Sequence, residues 1–452
     1  MVLYDFYSVK GAGPALWPCQ AKMKKQEITY QQLSKFRRAL LIFLSGAGSG
    51  IIYVPIYLKN VFYEPLLMGL DITNAQLGFL SGMYGIMATI LYIPCGIIAD
   101  KMRLRTMAAG GFISTAAVVY WYATLPSYPV LVLIFAVLAV TTILIFWGCR
   151  YKLLRFAAAE ADYPAVVGVS YALYGLGGLA INAVTLALFN AMPDYRVDVS
   201  ASLIFLASVI LVLGIISLFA IPHFKGEVTN DPDKKFNINE FIEALKHPGV
   251  WLASGTLFFV MIVYMGMNYT TPYLTDAFLA PLTLVSIVGM IRYYGIAIIS
   301  APLLGGIAKK VNSPSKTILV VMAACAVCCF AYLILPQTAG FLMAAIVITL
   351  VLGFLANGAY GVASSVLTET HVPAHIFGAA SGLLSVIGFL PESFMHQLFG
   401  SFIDNYELKG YTYIFICLTV SAVIAIGGCI ATQIYMKKKY PKEETPSPAV
   451  EE

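Results

Sequence analysis

Charge is what this chain has least of. Asp, Glu, Lys and Arg make up 11% of its 452 residues, against roughly 25% in ordinary soluble domains. Hydrophobic residues make up 60%, and the mean hydropathy is +0.82. So few charges cannot solvate a surface of this extent, which excludes a water-soluble globular fold and leaves lipid as the solvent. The signatures of ATP-driven and hydrolytic chemistry are also missing: there is no Gly-x-x-x-x-Gly-Lys-Ser/Thr phosphate loop and no His-Glu-x-x-His pair. Eight cysteines are scattered. Their one close group, Cys325-Ala-Val-Cys328-Cys329, lies inside an apolar stretch without a second Cys or His cluster, so it reads as packing and not as redox or zinc chemistry. No metal or cofactor is expected, and no enzymatic activity. Asp5, Lys10 and Pro14 interrupt any secretory h-region. Met23-Lys24-Lys25 would make a natural start, so residues 1–22 are read as a mis-called start in preference to a disordered tail.

What the chain does have is apolar runs of about 20 residues, each long enough to cross about 30 Å of hydrocarbon. Twelve are read, over residues 38–58, 75–98, 107–125, 130–149, 165–190, 200–221, 250–273, 282–308, 317–335, 340–364, 376–402 and 411–435. With both ends in the cytoplasm, all but Lys59, Arg196, Arg292 and Lys409 of the 28 Lys and Arg fall on the cytoplasmic side, which the positive-inside rule favours. The net charge of +5 therefore belongs to short membrane-flanking loops and not to a nucleic-acid groove.

The two halves echo one another. Glu160-Ala-Asp-Tyr-Pro164-Ala165 returns as Glu369-Thr-His-Val-Pro373-Ala374, and Gly96-Ile-Ile-Ala-Asp100-Lys101 as Gly305-Gly-Ile-Ala-Lys309-Lys310, both at an offset of 209. Tyr57-Leu-Lys-Asn-Val-Phe62 returns as Tyr273-Leu-Thr-Asp-Ala-Phe278 at an offset of 216. Transporters are commonly built from such repeats around a central site. The fold class is therefore an all-α membrane protein of twelve transmembrane helices in two pseudo-symmetric six-helix bundles. The expected organisation is a cytoplasmic segment to residue 35, one bundle over 36–221, a linker over 222–249, the second bundle over 250–436 and a disordered tail over 437–452. In the linker, Ile238, Phe241, Ile242 and Leu245, preceded by Asn237 and with Glu240 three residues on, predict a capped amphipathic helix. Gly78 and Gly82, Gly168, Gly175 and Gly178, Gly289 and Gly295, and Gly378, Gly382 and Gly388 mark every third run, where small residues let helices approach closely.

Twelve runs in two halves, with Gly96-x-x-x-Asp100-Lys101-x-Arg103-x-Arg105 after the second and a degenerate copy after the eighth, resemble the major facilitator superfamily over nearly the whole chain. Trp147-x-x-x-x-Lys152-x-x-Arg155, Glu369-x-x-x-Pro373 and Gly388-Phe-Leu-Pro391-Glu392 look like bacterial members near its sugar-phosphate and organic-anion branches. The loop differs from the family pattern at Arg103, where a second glycine is usual. The central Arg of organophosphate antiporters is absent from the first and seventh runs. The resemblance implies alternating access, a pathway lined by the first, fourth, seventh and tenth runs, and cytoplasmic charges that pair when that side closes. Asp100, Lys101, Arg103, Arg105, Arg155, Glu160 and Glu369 are the candidates for that gate; Asp100 also reads as a helix cap.

Arg292 is the most costly residue, about 10 residues or 15 Å into the eighth run, where an Arg costs roughly 2.5–3.5 kcal/mol. It reads either as a clamp for an anionic substrate or as one half of a structural pair with Glu392 of the eleventh run. Glu392 reads as a proton carrier in the first case, and the two would then link substrate and proton by competition. Asn182 answers Glu392 at an offset of 210 and is expected to face it across the halves. His396 lies one turn beyond Glu392. Tyr53, Tyr57, Asn268, Tyr269, Tyr273 and Asn357 complete the candidate lining, each of them equally consistent with packing. The function expected is secondary transport of a small, anionic organic solute such as a sugar acid, sugar phosphate, sulfonate or carboxylate, coupled to protons or to counter-exchange. A polyspecific exporter and a non-transporting sensor are the alternatives. The partners expected are the substrate, a proton or counter-substrate and the lipid bilayer, with no nucleic acid. The protein is expected to be a monomer in a cell inner membrane.

Overall fold

The computed structural model describes residues 27–159, 162–189, 194–228 and 238–439. Glu160, Asn237, residues 1–22 and the tail beyond residue 439 lie outside the described residues. Twelve spans follow one another: Lys35–Asn60, Asn74–Lys101, Leu104–Ala123, Tyr128–Ala157, Tyr163–Phe189 and Tyr195–Ala220, then Pro248–Phe278, Leu282–Val311, Pro314–Ile334, Ala339–Ala363, Phe377–Tyr406 and Leu408–Lys439. They are called spans 1 to 12. Eleven contain stretches long and apolar enough to cross a membrane by length and composition alone. Span 3, with 20 residues, reaches about 30 Å at 1.5 Å per residue. The linker helix is present over Ile238–Lys246.

Several spans are broken where the sequence removes a backbone donor. Span 1 breaks at Tyr53, two residues before Pro55, span 7 turns tightly through Met267–Tyr269 before Pro272, and span 11 does so at Leu390–Ser393 around Pro391. Spans 4 and 8 instead widen into π-helical segments, Val140–Trp147 and Ile291–Gly295. Such segments rotate the side chains that follow. Span 4 then runs on to Ala157, beyond the expected end at residue 149. Arg150 and Lys152 are therefore helical residues and not loop charges.

Each half has its own apolar core, one built on spans 1 to 6 and one on spans 7 to 12. The exceptions mark where the halves meet: Met290 and Tyr294 of span 8 enter the first core, and Tyr63 and Leu77 enter the second. Cys325 and Cys329 are buried packing residues of the second core.

Two seams join the halves, span 2 on span 11 and span 5 on span 8. Both are closed near the distal face, where span 2 begins and span 11 ends. A Cβ on Gly78 would fall on the His396 carbonyl, one on Gly82 would lie 2.5 Å from the Ser393 carbonyl oxygen, and one on Gly400 would strike the Asn74 carbonyl. The Asp404 carboxylate accepts from Asn74 N at 3.0 Å, Asn74 Nδ2 at 2.8 Å and Ala75 N at 2.7 Å. Toward the terminal face, where span 1 begins and span 12 ends, the same helix faces stand apart. Gly96 lies about three turns from Gly85, Gly168 about two from Gly175, and Gly305 about two from Ile298; a Cβ on any of the three glycines would meet nothing within 4 Å. Gly378 and Gly382 are equally unobstructed. Among the described residues, spans 2 and 11 are pressed together toward the distal face, and the glycines of the same faces are unobstructed toward the terminal one.

Candidate functional site

Glu392 lies near the middle of span 11, half-buried between the halves. It rests on span 2, where a Cβ on Gly85 would come within 2.9 Å of its Cγ. Its Oε1 accepts from the Tyr57 hydroxyl of span 1 at 3.2 Å, a bond that crosses the halves. The Lys59 ammonium of span 1 is buried without a hydrogen-bond partner among the described residues, and Glu392 is the opposite charge it faces. Lys59 also stands 6.0 Å from the Tyr269 ring centroid. Tyr269 donates to the His396 carbonyl at 2.7 Å, and His396 is itself buried.

Arg292 does not join this group. It is wholly buried: Nη1 donates to Thr270 Oγ1 at 2.9 Å and Thr271 Oγ1 at 2.6 Å, and Nη2 to Asn268 Oδ1 at 3.0 Å and the Asn60 carbonyl at 2.9 Å. The expected pairing of Arg292 with Glu392 is therefore not formed; neutral acceptors supplied by the break in span 7 take its place. The Asn60 bond makes Arg292 a tie from span 8 to span 1 near the distal face. Asn357 donates to the Gly353 carbonyl at 2.8 Å and the Arg292 carbonyl at 3.3 Å, which supports the same corner. Asn182 does not face Glu392 either. It donates to the Gly178 carbonyl at 2.8 Å and lies against Tyr294, so the two repeat-related polar residues occupy separate seams. Tyr273 packs in the second core against Phe278, Tyr332, Tyr411 and Phe415.

A shell of aromatic rings surrounds the space beside Glu392. Tyr57 meets Tyr84 and Tyr293, Tyr53 and Tyr92 both meet Trp147 edge-on, and Tyr264 stacks on Tyr360 at 4.4 Å. Tyr57, Tyr92, Trp147, Tyr264, Tyr293 and Tyr360 all keep partial exposure although they face other spans, as rings lining a space open at one end must. Nearer the terminal face Arg150 is buried among Trp147, Tyr151, Tyr171 and Tyr174. Neither Lys59 nor Arg150 was singled out from the sequence. Lys59 reads there as a charge at a helix end, and Arg150 follows directly on the apolar run; the π-helical segment just before Arg150 has no sequence signature.

Of the expected gate residues, Arg103, Arg105 and Glu369 have partners in their own halves or in the flanking segments. Arg103 donates to Glu227 at 3.2 Å and Glu27 at 3.1 Å, and meets His223 at 2.9 Å; Arg105 donates to the Ile221 carbonyl. Glu369 accepts from Ser313 Oγ at 2.6 Å, Ser315 N at 2.8 Å and Ser315 Oγ at 2.9 Å, at the start of span 9. Asp100 lies within electrostatic reach of Lys152. Lys101 and Arg155 are exposed.

Two bundles of membrane spans that meet around a charged, aromatic-lined middle have the build of a membrane transporter. The chain belongs to the Major Facilitator Superfamily, whose family model matches residues 38–396. It is 26% identical over 380 residues to the inner membrane protein YqcE of Escherichia coli K12, covering 83% of this chain and 89% of that protein. It is 24% identical over 411 residues to the inner membrane protein YihN of the same organism, covering 90% and 97%. Among solved structures it is similar to the nucleoside transporter NupG, as the D323A mutant, with a TM-score of 0.70 at 15% identity over 88% of this chain and 99% of that one. A bacterial homologue of the human lysosomal transporter Spinster, in an inward-facing occupied conformation, gives a TM-score of 0.69 at 14% identity over 92% and 100%. The protein is a multi-pass membrane transporter and not an enzyme.

Proposed function

We propose that this protein carries a small organic anion across a cell inner membrane by alternating access, driven by protons through Glu392. The terminal face is the cytoplasmic one in this reading, because it gathers nearly all of the Lys and Arg, and the conformation described is then inward-facing. The observation that carries the proposal is the Tyr57–Glu392–Lys59 group. An ionised Glu392 attracts Lys59 across the halves and accepts the Tyr57 hydroxyl. A protonated Glu392 gives up that attraction, so proton occupancy biases the two-state equilibrium on which transport depends. The anion class is supported by charge balance: among the described residues Lys59 and Arg150 are buried in the middle of the bundle with donors that no protein acceptor answers, the half-buried Glu392 faces Lys59, and an anion offsets the remaining charge.

On the cytoplasmic side, Asp100, Arg103, Arg105, Arg155, Glu160 and Glu369 are proposed to exchange partners when that face closes. At present Arg103 is held by Glu227 of the linker and Glu369 by Ser313 and Ser315 of its own half. The test is uptake into proteoliposomes under an imposed pH gradient, with sugar acids, sugar phosphates, sulfonates and neutral sugars offered in turn. Anion accumulation that follows the gradient, and loses it in Glu392→Gln while counterflow persists, is the expected result. Transport of neutral or cationic solutes alone, or gradient-driven uptake that survives Glu392→Gln, overturns it.

A further inference from the structure

We infer that the edge of Arg150 formed by Nε and Nη2 is the seat of the substrate's oxyanion, a carboxylate, sulfonate or phosphate, inside the ring of Trp147, Tyr151, Tyr171 and Tyr174. The inference rests on the anion-carrier reading and adds the residue that recognises the anion. Arg150 is 3% exposed. Its guanidinium carbon lies 4.9 Å from the Tyr171 centroid, 5.3 Å from those of Tyr151 and Tyr174 and 5.7 Å from that of Trp147. Rings offset positive charge with their π faces, but they leave the in-plane N–H donors unanswered. Nε and Nη2 are both buried with no hydrogen-bond partner among the described residues.

Those two nitrogens share one edge of the planar group and present two parallel donors, the fork that an oxyanion takes bidentately. A buried charged donor without an acceptor is costly. The two buried arginines differ in how the chain treats them. Arg292 has both Nη atoms bonded to protein acceptors, whereas Arg150 keeps a complete fork.

The surroundings suit a ligand that arrives from the space between the halves. Tyr174 lies within electrostatic reach of Tyr264, and Tyr151 and Tyr171 within reach of Tyr360, both from the opposite half. The Tyr151 and Tyr171 hydroxyls are bonded to each other at 2.8 Å, and only one proton is needed for that bond, so the second hydroxyl proton is free to donate to an oxyanion. Tyr171 is 49% exposed. An oxyanion with a compact organic body fits both the fork and the rings around it.

The test uses the full-length protein purified in detergent, with gluconate, glucose 6-phosphate and 2-hydroxyethanesulfonate as probes and glucose as the neutral control. Binding is read by thermal shift and by tryptophan emission, with Trp147→Phe to identify the signal of Trp147. Wild type is expected to bind at least one anion and to change its Trp147 emission on binding. Arg150→Lys retains charge without the fork and should weaken that anion about 10-fold or more, and Arg150→Gln about 100-fold, while Arg292→Lys stays within about threefold of wild type. Should Arg150→Gln fail to fold, Arg150→Lys and Tyr171→Phe, checked by gel filtration, decide the matter through the same affinities. Unchanged affinity in folded Arg150→Lys, or loss at Arg292 instead, overturns the Arg150 seat and leaves the anion reading standing. Binding of none of the three anions by wild type overturns the anion reading and the seat with it.

Discussion

Replacing Gly78 by alanine should open the distal face. The Cβ would fall on the His396 carbonyl and within 2.8 Å of Gln397 Cα, whereas comfortable carbon contacts lie near 3.5–4.0 Å. Both obstacles are backbone, so no rotamer change relieves them and the two spans must separate. Overpacking of this kind costs about 1–3 kcal/mol, which converts to roughly a 5- to 150-fold shift of population toward the state with that seam open. Gly96, on the same face of span 2 about five turns away, supplies the control of opposite sign. A Cβ there meets nothing within 4 Å, but it would obstruct closure of the terminal face, so Gly96→Ala should hold the protein in the conformation described.

Spin labels on Met68 and Leu408, both exposed near the distal face, report the separation of the halves once the eight native cysteines are replaced. Double electron–electron resonance should give a longer distance population in Gly78→Ala and none in Gly96→Ala. Equal distance distributions in the two variants, or a shift in the same direction, would refute the argument that the glycine seam sets the resting conformation.

Arg292→Met removes the tie to the Asn60 carbonyl, a bond from a charged donor worth about 1.5–3 kcal/mol; the same labels should move apart, and the unfolding temperature should fall. Burial, with Asp276 adding repulsion, pushes the Glu64 carboxyl from its usual 4.5 up to about 7. Tyr63 and Tyr411 face the same corner. Between those values the closed distal face holds a proton that a solvated Glu64 would release, so closure is favoured in acid and weakens as the pH rises through about 7. Label distances measured from pH 5 to 8 should show this in wild type and lose the dependence in Glu64→Gln. Asp100→Asn should abolish uptake while leaving expression and ligand binding intact if Asp100 belongs to the gate, and unchanged uptake would reduce it to a helix cap.

Long apolar runs made the spans legible, because one physical requirement, about 20 residues of hydrocarbon-compatible chain, sets them. The repeat made the seams legible too, since Gly78 and Gly82 stand out in an apolar run and lie where span 11 presses closest. Depth was readable for Arg292 and Glu392, but direction was not. Tyr57 and Glu392 meet across 335 residues of sequence, and the rotation that brings them together depends on the break at Tyr53 and the tight turn at Leu390–Ser393. Arg292 appeared to need an acid because a buried charge ordinarily does. Thr270, Thr271 and Asn268 answer it because the tight turn in span 7 aims three short polar side chains at one point. Arg150 escaped notice because a hydropathy run ends at its first charge, while the helix itself continues to Ala157.

The two seams have the same architecture and different chemistry. Span 5 receives Ile298 and the Tyr294 ring against Gly175 and Gly178, and Asn182 there is a neutral group satisfied in part by its own helix. Span 2 receives the backbone of Ser393 and His396 and the side chain of Glu392, and Lys59 of the first half faces that carboxylate. A change of protonation therefore alters the attraction along one seam and leaves the other unaffected. A neutral seam that stays packed while a charged one loosens is what a rocking motion requires, because one contact must act as pivot while the other opens. If Glu392 carries the proton as proposed, the dependence of the motion on protons arises along that one seam.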